Sequence, residues 1–213
     1  QSEDYLSQLT DEFAENYDIR IEKVRADARV LADFAVALFS NSEVLNSDAY
    51  WLAADHMIYG ADGQYMSRDD DISSLYVPNS VEITEEINLI IEQSAFLDFQ
   101  IASIVEGDPN TVAAYLITKE DITRYYPNID LGNIVPADYS PVSDIFFQIS
   151  TPENNPDRAI VWTPVSDDPA AQGFLVSAIA PVYSTQDEFL GVIGIDLSLT
   201  ELTDSIENLD IAT

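Results

Sequence analysis

The sequence predicts an α+β domain in which a long N-terminal helix precedes a central antiparallel sheet of about five strands. Three observations carry that prediction. Residues 173–199 (GFLVSAIAPVYSTQDEFLGVIGIDLSL) hold two apolar runs flanking the polar segment Ser184-Thr185-Gln186-Asp187. Both runs are rich in β-branched and aromatic residues, so they read as an antiparallel hairpin. Toward the other end, Tyr17, Ile21, Val24, Ala28, Leu31, Ala35 and Leu38 alternate spacings of four and three, the period of one helix face. Helical patterns also precede strand patterns along the chain, the order of segregated helices on a sheet.

The first helix is expected over Tyr5 to Phe39, with Leu6, Leu9 and Phe13 adding to its apolar face and no Gly or Pro before Ser40. Its length of roughly 50 Å leaves two readings. It is a core helix throughout, or part of it projects as a stalk or pairs with a second helix. Asp48 to Tyr59 reads as a short helix and Ala61-Asp62-Gly63-Gln64 as a turn. The run Arg68-Asp69-Asp70-Asp71 reads as a solvated loop, because its adjacent Asp residues lack the spaced ligands and glycine of an EF-hand. Ser74 to Val77 is a short strand stopped by Pro78-Asn79. Glu82 to Ile104 is the second helix, with Thr84 as N-cap and Glu85 and Glu86 favourably placed in its first turn.

Val112–Thr118 and Ile122–Tyr126 are strands around a Lys-Glu-Asp turn, followed by a loop from Pro127 to Pro141. Val142 to Ser150 forms a short helix carrying Phe146 and Phe147, and Thr151 to Arg158 a second loop. Ala159–Thr163 is the strand before the hairpin, and Thr200 caps a closing helix, TELTDSIENL. The chain thus divides into 1–40, a stalk or dimerisation helix; 41–110, a helical and mixed region packing on the sheet; and 111–213, the sheet-based core with its hairpin and C-terminal helix.

Composition narrows the function. With 39 acidic against 8 basic residues, the net charge is −31. Nucleic acid and anionic membrane surfaces are repelled by such a chain, whereas a salty or extracytoplasmic setting suits it. Zero Cys excludes thiolate chemistry and Cys-ligated zinc, and a single His, His56, leaves no multi-His metal site. No P-loop, GxGxxG or GxSxG is present, so no catalytic residue, metal site or cofactor is expected. His56 reads as a surface or interface residue. No apolar run reaches the roughly 18 residues that span a bilayer. The chain is expected to be a piece of a longer protein whose other segments supply any membrane anchor.

The constellation that could bind something is aromatic. Tyr115, Tyr125, Tyr126, Phe146, Phe147, Trp162 and Tyr183 fall on strands or the loops between them, interleaved with Asp144, Asp167, Asp168 and Asp196. Rings beside carboxylates suit a small ligand with cationic groups, through charge pairing and cation–π contact; the alternative is that the rings are core. Asp196 is a lone carboxylate among Ile193, Ile195, Leu197 and Leu199. It either caps the next helix, is hydrated, or is buried and needs a partner. Gly191 and Gly194 weaken their strand unless something approaches its backbone closely.

The segment PVYSTQDEFLGVIGIDLSLTEL resembles the closing hairpin of a Cache domain, the PAS-like extracytoplasmic sensor of bacterial and archaeal receptors. The resemblance extends through AAYLIT, TRYYPNIDL, STPENNPDRAIVWTP and SDDPAAQGFLVSAIAPVY, and is strongest over residues 110–205. It implies a membrane-distal, PAS-like sensor module of a transmembrane receptor, with a histidine kinase as the expected output and a chemoreceptor or cyclase as the alternative. It also implies a small ligand held between the sheet and the loop-and-helix insertion. The four-three repeat of the N-terminal helix points separately to a homodimer through it, and the competing reading is a ligand-free dimerisation module of a membrane receptor. In amino-acid-binding relatives the insertion carries Arg-x-Trp-Tyr, whose Arg grips a carboxylate. Asp144-Ile145-Phe146-Phe147 stands there in this chain, which argues against gripping a free amino acid's carboxylate and leaves a cationic or neutral molecule, a metal, or no ligand at all. Later Asp residues of the pattern match Asp167 or Asp168 and Asp196, and Ser166 replaces a common tyrosine. Together with the aromatic constellation, this makes the expected site Tyr115, Tyr126, Asp144, Phe146, Phe147, Trp162, Asp167, Asp168, Tyr183 and Asp196.

Overall fold

Helix α1 runs from Ser2 to Ser40 without a break, as a stretch free of Gly and Pro should. The computed structural model describes residues 2–40, 56–167 and 174–200. The four-three stripe faces inward from Val24: Val24, Ala28, Leu31, Ala35 and Leu38 are buried, joined by Ala32. They rest on the last two long strands and on a neighbouring helix. Tyr17 and Ile21, earlier on the same stripe, are half-buried, and Ile19 beside them is exposed. The side chains of Leu6, Leu9 and Phe13 lie outside the described residues.

The strands follow as β1 (Ile58–Tyr59), β2 (Tyr65–Met66) and β3 (Ser74–Val77). Ile58 and Tyr59 therefore correct the helix expected over Asp48 to Tyr59, whose residues 48–55 lie outside the described residues. Gly63, with φ of 89°, makes the turn between β1 and β2. The expected second helix is in fact two, α2 (Glu85–Ala95) and α3 (Leu97–Glu106), meeting at Phe96. Thr84 Oγ1 caps α2 by accepting from Ile87 N–H. The break has a cause: the Ile91 carbonyl accepts from Ser94 Oγ and from Arg124 Nη2, which compete with the helix's own ladder.

Next come β4 (Thr111–Thr118) and β5 (Thr123–Tyr126). The expected loop over Pro127 to Pro141 contains one turn of helix, α4 (Leu131–Ile134). The insertion helix is α5 (Ile145–Gln148), preceded by a 3-10 turn at Pro141–Ser143. The chain then forms β6 (Val161–Trp162), β7 (Ser166–Asp167), β8 (Phe174–Tyr183) and β9 (Phe189–Ser198). The strand order is β1-β2-β3-β5-β4-β9-β8-β6, every pair antiparallel, with β7 also pairing β8. The expected strands are present as β3, β4, β5, β6, β8 and β9; the additions, β1, β2 and β7, have two residues each. The closing helix lies outside the described residues.

Strand alternation sends successive side chains to opposite faces, and both faces of this sheet are covered. Ala114, Leu116, Ala178, Ala180, Val182, Ile193, Ile195 and Leu197 face α1 and α3. Tyr115, Ile117, Ile179 and Val192 face the other way, under Phe147 of α5. That double cover explains why the hairpin strands read as apolar at nearly every position. The first face is built from small and aliphatic residues that admit a close helix. The second is lined with rings.

Candidate functional site

The α5 face carries the polar exception. Asp196 lies within β9 rather than at its end, pairs with Ala113 and Ser177, and is 7% exposed. Ser177 Oγ donates to Asp196 Oδ1 at 2.6 Å. Thr163, opposite on the neighbouring segment, accepts from Ser177 N–H through its own hydroxyl at 2.9 Å. Asp196 is thus the buried case among the three expected for it, and a burial that deep requires hydrogen bonding.

Tyr115 sits directly across from Gly194. A Cβ at Gly194 would lie 2.1 Å from Tyr115 Cζ and 2.5 Å from its hydroxyl, so the glycine is what lets the ring lie flat over β9. Tyr125 stacks on the ring at 5.8 Å and 9°, and Phe146 meets it edge-on at 6.3 Å. Burial, followed by the Asp196 charge, pushes the Tyr115 phenol well above its ordinary value. Its hydroxyl is buried beside Ser177 and Asp196. Beyond it, Phe147, Phe189 and Tyr183 form an edge-to-face row with centroids 5.6 and 5.4 Å apart. Arg158 covers the outer end of that row, its guanidinium 3.8 Å above the Tyr183 ring and paired with Asp187.

Asp144 has a local role. It is the N-cap of α5, accepting from Phe146 N–H at 3.5 Å and from the Tyr139 hydroxyl at 3.0 Å. Burial, then the Asp144 charge, raises the Tyr139 phenol far above its usual range. The insertion is moored further by Asp121, which accepts from Ser140 Oγ and Val142 N–H. The Tyr76 hydroxyl lies 2.9, 3.2 and 2.9 Å from the carbonyls of Pro136, Ala137 and Tyr139, so β3 holds the loop leading to α5.

Of the residues expected at the site, Tyr115, Phe146, Phe147 and Asp196 are brought to one face, with Asp144 at its rim and Tyr183 at its far end. Trp162 and Tyr126 are not brought there. Both pack on the α1 face, because each falls on the opposite strand parity, and the Tyr126 hydroxyl donates to Glu106. Asp167 pairs with Phe174 at the start of β7–β8; its side chain, like the whole of Asp168, lies outside the described residues. Sequence reasoning missed Ser177 and Tyr139. Ser177 had a signal, being the one polar residue of an otherwise apolar run and in register with Asp196.

A second polar cluster lies on the α1 face. Arg124 donates to both Asp98 oxygens, at 3.2 and 3.1 Å, and to the hydroxyls of Ser73 and Ser94. The Ser73 hydroxyl donates to Asp98 as well. Both ionic residues are about 5% exposed or less. His56, with Nδ1 3.5 Å from Asp71 Oδ1, borders a small cleft beside this pair. Among the described residues no group of three or more His, Cys, Asp or Glu is placed to hold a metal ion, and no helix is long and apolar enough to cross a membrane.

These features define a class: the chain has the Cache/PAS-like fold of receptor sensor domains. Over 98% of its length it superposes on the ligand-binding domain of the amino acid chemoreceptor PctC of Pseudomonas aeruginosa PAO1, solved with GABA, at a TM-score of 0.54 and 16% identity. It spans 66% of that domain's length, just under two thirds. The ligand-binding domain of PctB from the same organism, solved with L-Gln, matches 89% of this chain and 60% of its own at 17% identity and a TM-score of 0.42. The sensory domain of the Campylobacter jejuni chemoreceptor Tlp3 matches 92% of this chain and 67% of its own at 12% identity and 0.43. A scan against protein-family models and a search of curated proteins find no match.

Proposed function

We propose that this chain is the extracytoplasmic ligand-sensing domain of a transmembrane signalling receptor, binding a small cationic or neutral molecule on the sheet face beneath α5. The observation that carries the reading is Asp196, a buried carboxylate in an otherwise apolar and aromatic face, covered by an insertion that side-chain bonds moor. Tyr115, Phe146, Phe147, Ser177 and Asp196 would line the site, and Trp162 and Tyr126 would belong to the core on the opposite face. Strands β8 and β9 touch α5 on one face and α1 on the other. A ligand that favours one position of those strands would therefore bias α1, provided its affinity differs between the two arrangements.

Thermal unfolding at fixed salt against amines, amino acids, amides, organic acids, sugars and divalent cations tests this. A ligand at a hundred times its dissociation constant adds about 2.7 kcal/mol. A hit that disappears in Asp196→Asn supports the site. A hit from organic acids alone, or one indifferent to that substitution, removes Asp196 from it.

The second reading is a ligand-free module that dimerises through α1. The stripe that favoured it is occupied by the domain's own sheet from Val24 onward, leaving only the preceding part of the helix for a partner. Sedimentation over a concentration series, with a flat ligand panel, would favour it. For the whole receptor, histidine kinase output stays the working proposal over chemoreceptor or cyclase, and autophosphorylation of the full-length protein decides.

A further inference from the structure

Lys23 stands where the close packing of α1 on the sheet begins. Val24, the next residue, is the first described position of the stripe to be buried against β8 and β9, while Ile19 and Glu22 before it are exposed. Lysine is scarce in this chain, with Lys119 the one other among 213 residues. Lys23 Nζ donates to Asp108 Oδ2 at 3.3 Å and lies 3.5 Å from Asp27, four residues on along the helix. Asp108 belongs to the turn between α3 and β4, and its side chain is 13% exposed. Burial opposes its ionisation, yet the Asn110 N–H and then Lys23 hold its carboxyl below the usual range. Its other oxygen accepts from Asn110 N–H at 3.0 Å. The Asn110 carbonyl in turn accepts from Ser198 N–H at 2.8 Å, and Ser198 ends β9 two residues beyond Asp196.

Three polar links therefore run from the strand of Asp196 to the start of the α1 contact. They differ in kind from the apolar stripe. Burial of apolar surface is non-directional, so the stripe resists separation of helix and sheet more than it resists sliding or rotation. Hydrogen bonds weaken steeply as they bend, so each link fixes direction as well as distance. We propose that the Lys23–Asp108 pair couples the end of β9 to α1, so that a shift of the Asp196 strand changes the hold on the helix at Lys23. Lys23 is thus a positioning residue for signalling and touches no ligand. This rests on the reading of the α5 face as the ligand site, and adds to it how a shift there reaches α1. Coupling of this kind is established by perturbing one end and reading the other.

The test uses residue-resolved amide hydrogen exchange in the intact chain at low ionic strength, where the half-exposed pair is least screened. Lys23→Met keeps the alkyl stem and removes the charge. It is expected to speed exchange at Ser198 about two- to fivefold while leaving Ile193, at the middle of β9, unchanged. Lys23→Arg, which keeps the charge, is expected to match the wild type. Asp196→Asn is expected to change exchange over residues 20–27 in the wild-type background and not in Lys23→Met. Unchanged Ser198 exchange in Lys23→Met would overturn the proposal. So would equal acceleration at Ser198 and Ile193, which marks a general loss of stability. Residues 20–27 that ignore Asp196→Asn, or respond to it equally without the Lys23 charge, would overturn it too. Those outcomes leave the sensor reading intact, whereas a flat ligand panel removes that reading and not the coupling, which exchange alone decides.

Discussion

Each face of the sheet buries a carboxylate, and the two are treated differently. Both oxygens of Asp98, on the α1 face, accept from Nη1 of the buried Arg124 guanidinium, and one accepts from a serine hydroxyl. The guanidinium's other nitrogens donate to Ser94 and a helix carbonyl. Asp196, on the α5 face, accepts from Ser177 and lies against the buried Tyr115 phenol. Burial is therefore not the mark of a site. A closed set of donors and acceptors, joining Ser73 just before β3 with β5, α2 and α3, describes a fastening. The α5-face carboxylate, set among rings beneath a moored insertion, is the one proposed to meet a guest.

The contrast can be broken most forcefully at Asp98. Asp98→Ala strands the Arg124 charge in the core and should destabilise by about 3–5 kcal/mol in denaturant titration; a loss under 1 kcal/mol would refute the fastening. Next in size is Gly194→Ala, where the new Cβ strikes the Tyr115 ring and overpacking should cost about 2–3 kcal/mol. Much of that cost should vanish in a Tyr115→Ala background, and additive losses would mean the ring is not what the glycine accommodates. Trp162→Ala, on the α1 face, should lose about 1–2 kcal/mol of stability while leaving ligand affinity unchanged. Asp196→Asn should do the reverse, and calorimetry with any ligand from the panel separates the two.

A smaller effect sharpens the account of how the insertion is moored. The Tyr76 phenol is pushed up to about 12 by burial and then by Asp121 and Asp138. Its folded value lies above its ordinary 10.0, so its contribution is fully present below that pH and is lost as pH rises through the folded value. Melting temperature should fall between pH 10 and 12, less steeply in Tyr76→Phe; parallel slopes would exclude Tyr76 as a source. Smallest of all should be Arg158→Ala, which removes a solvent-exposed pair over Tyr183 that salt screens. Its effect should be visible only at low ionic strength.

Much of the architecture was legible in the residues, and the site only in part. The α1 stripe could be read because helix period and the absence of breakers are local properties. The hairpin could be read because its strands are apolar on both sides. The split at Phe96 could not, since its cause, Arg124, arrives from thirty residues further along the chain. Nor could the assignment of the rings to faces. Tyr125 and Tyr126 are neighbours in sequence and lie on opposite sides of the sheet, which only the register with β4 decides.

By itself the sequence determined a long helix ahead of an antiparallel sheet, an acidic surface and a lone carboxylate in an apolar strand. Those follow from residue type and periodicity, which act over a few positions. Tertiary structure alone decided that Val24 to Leu38 pack on the domain's own sheet, that Asp144 caps a helix, and that Ser177 and Tyr115 meet at Asp196. These depend on strand register and on which face a side chain leaves from. A shift of one residue inverts both, so they are fixed only when the whole sheet has formed.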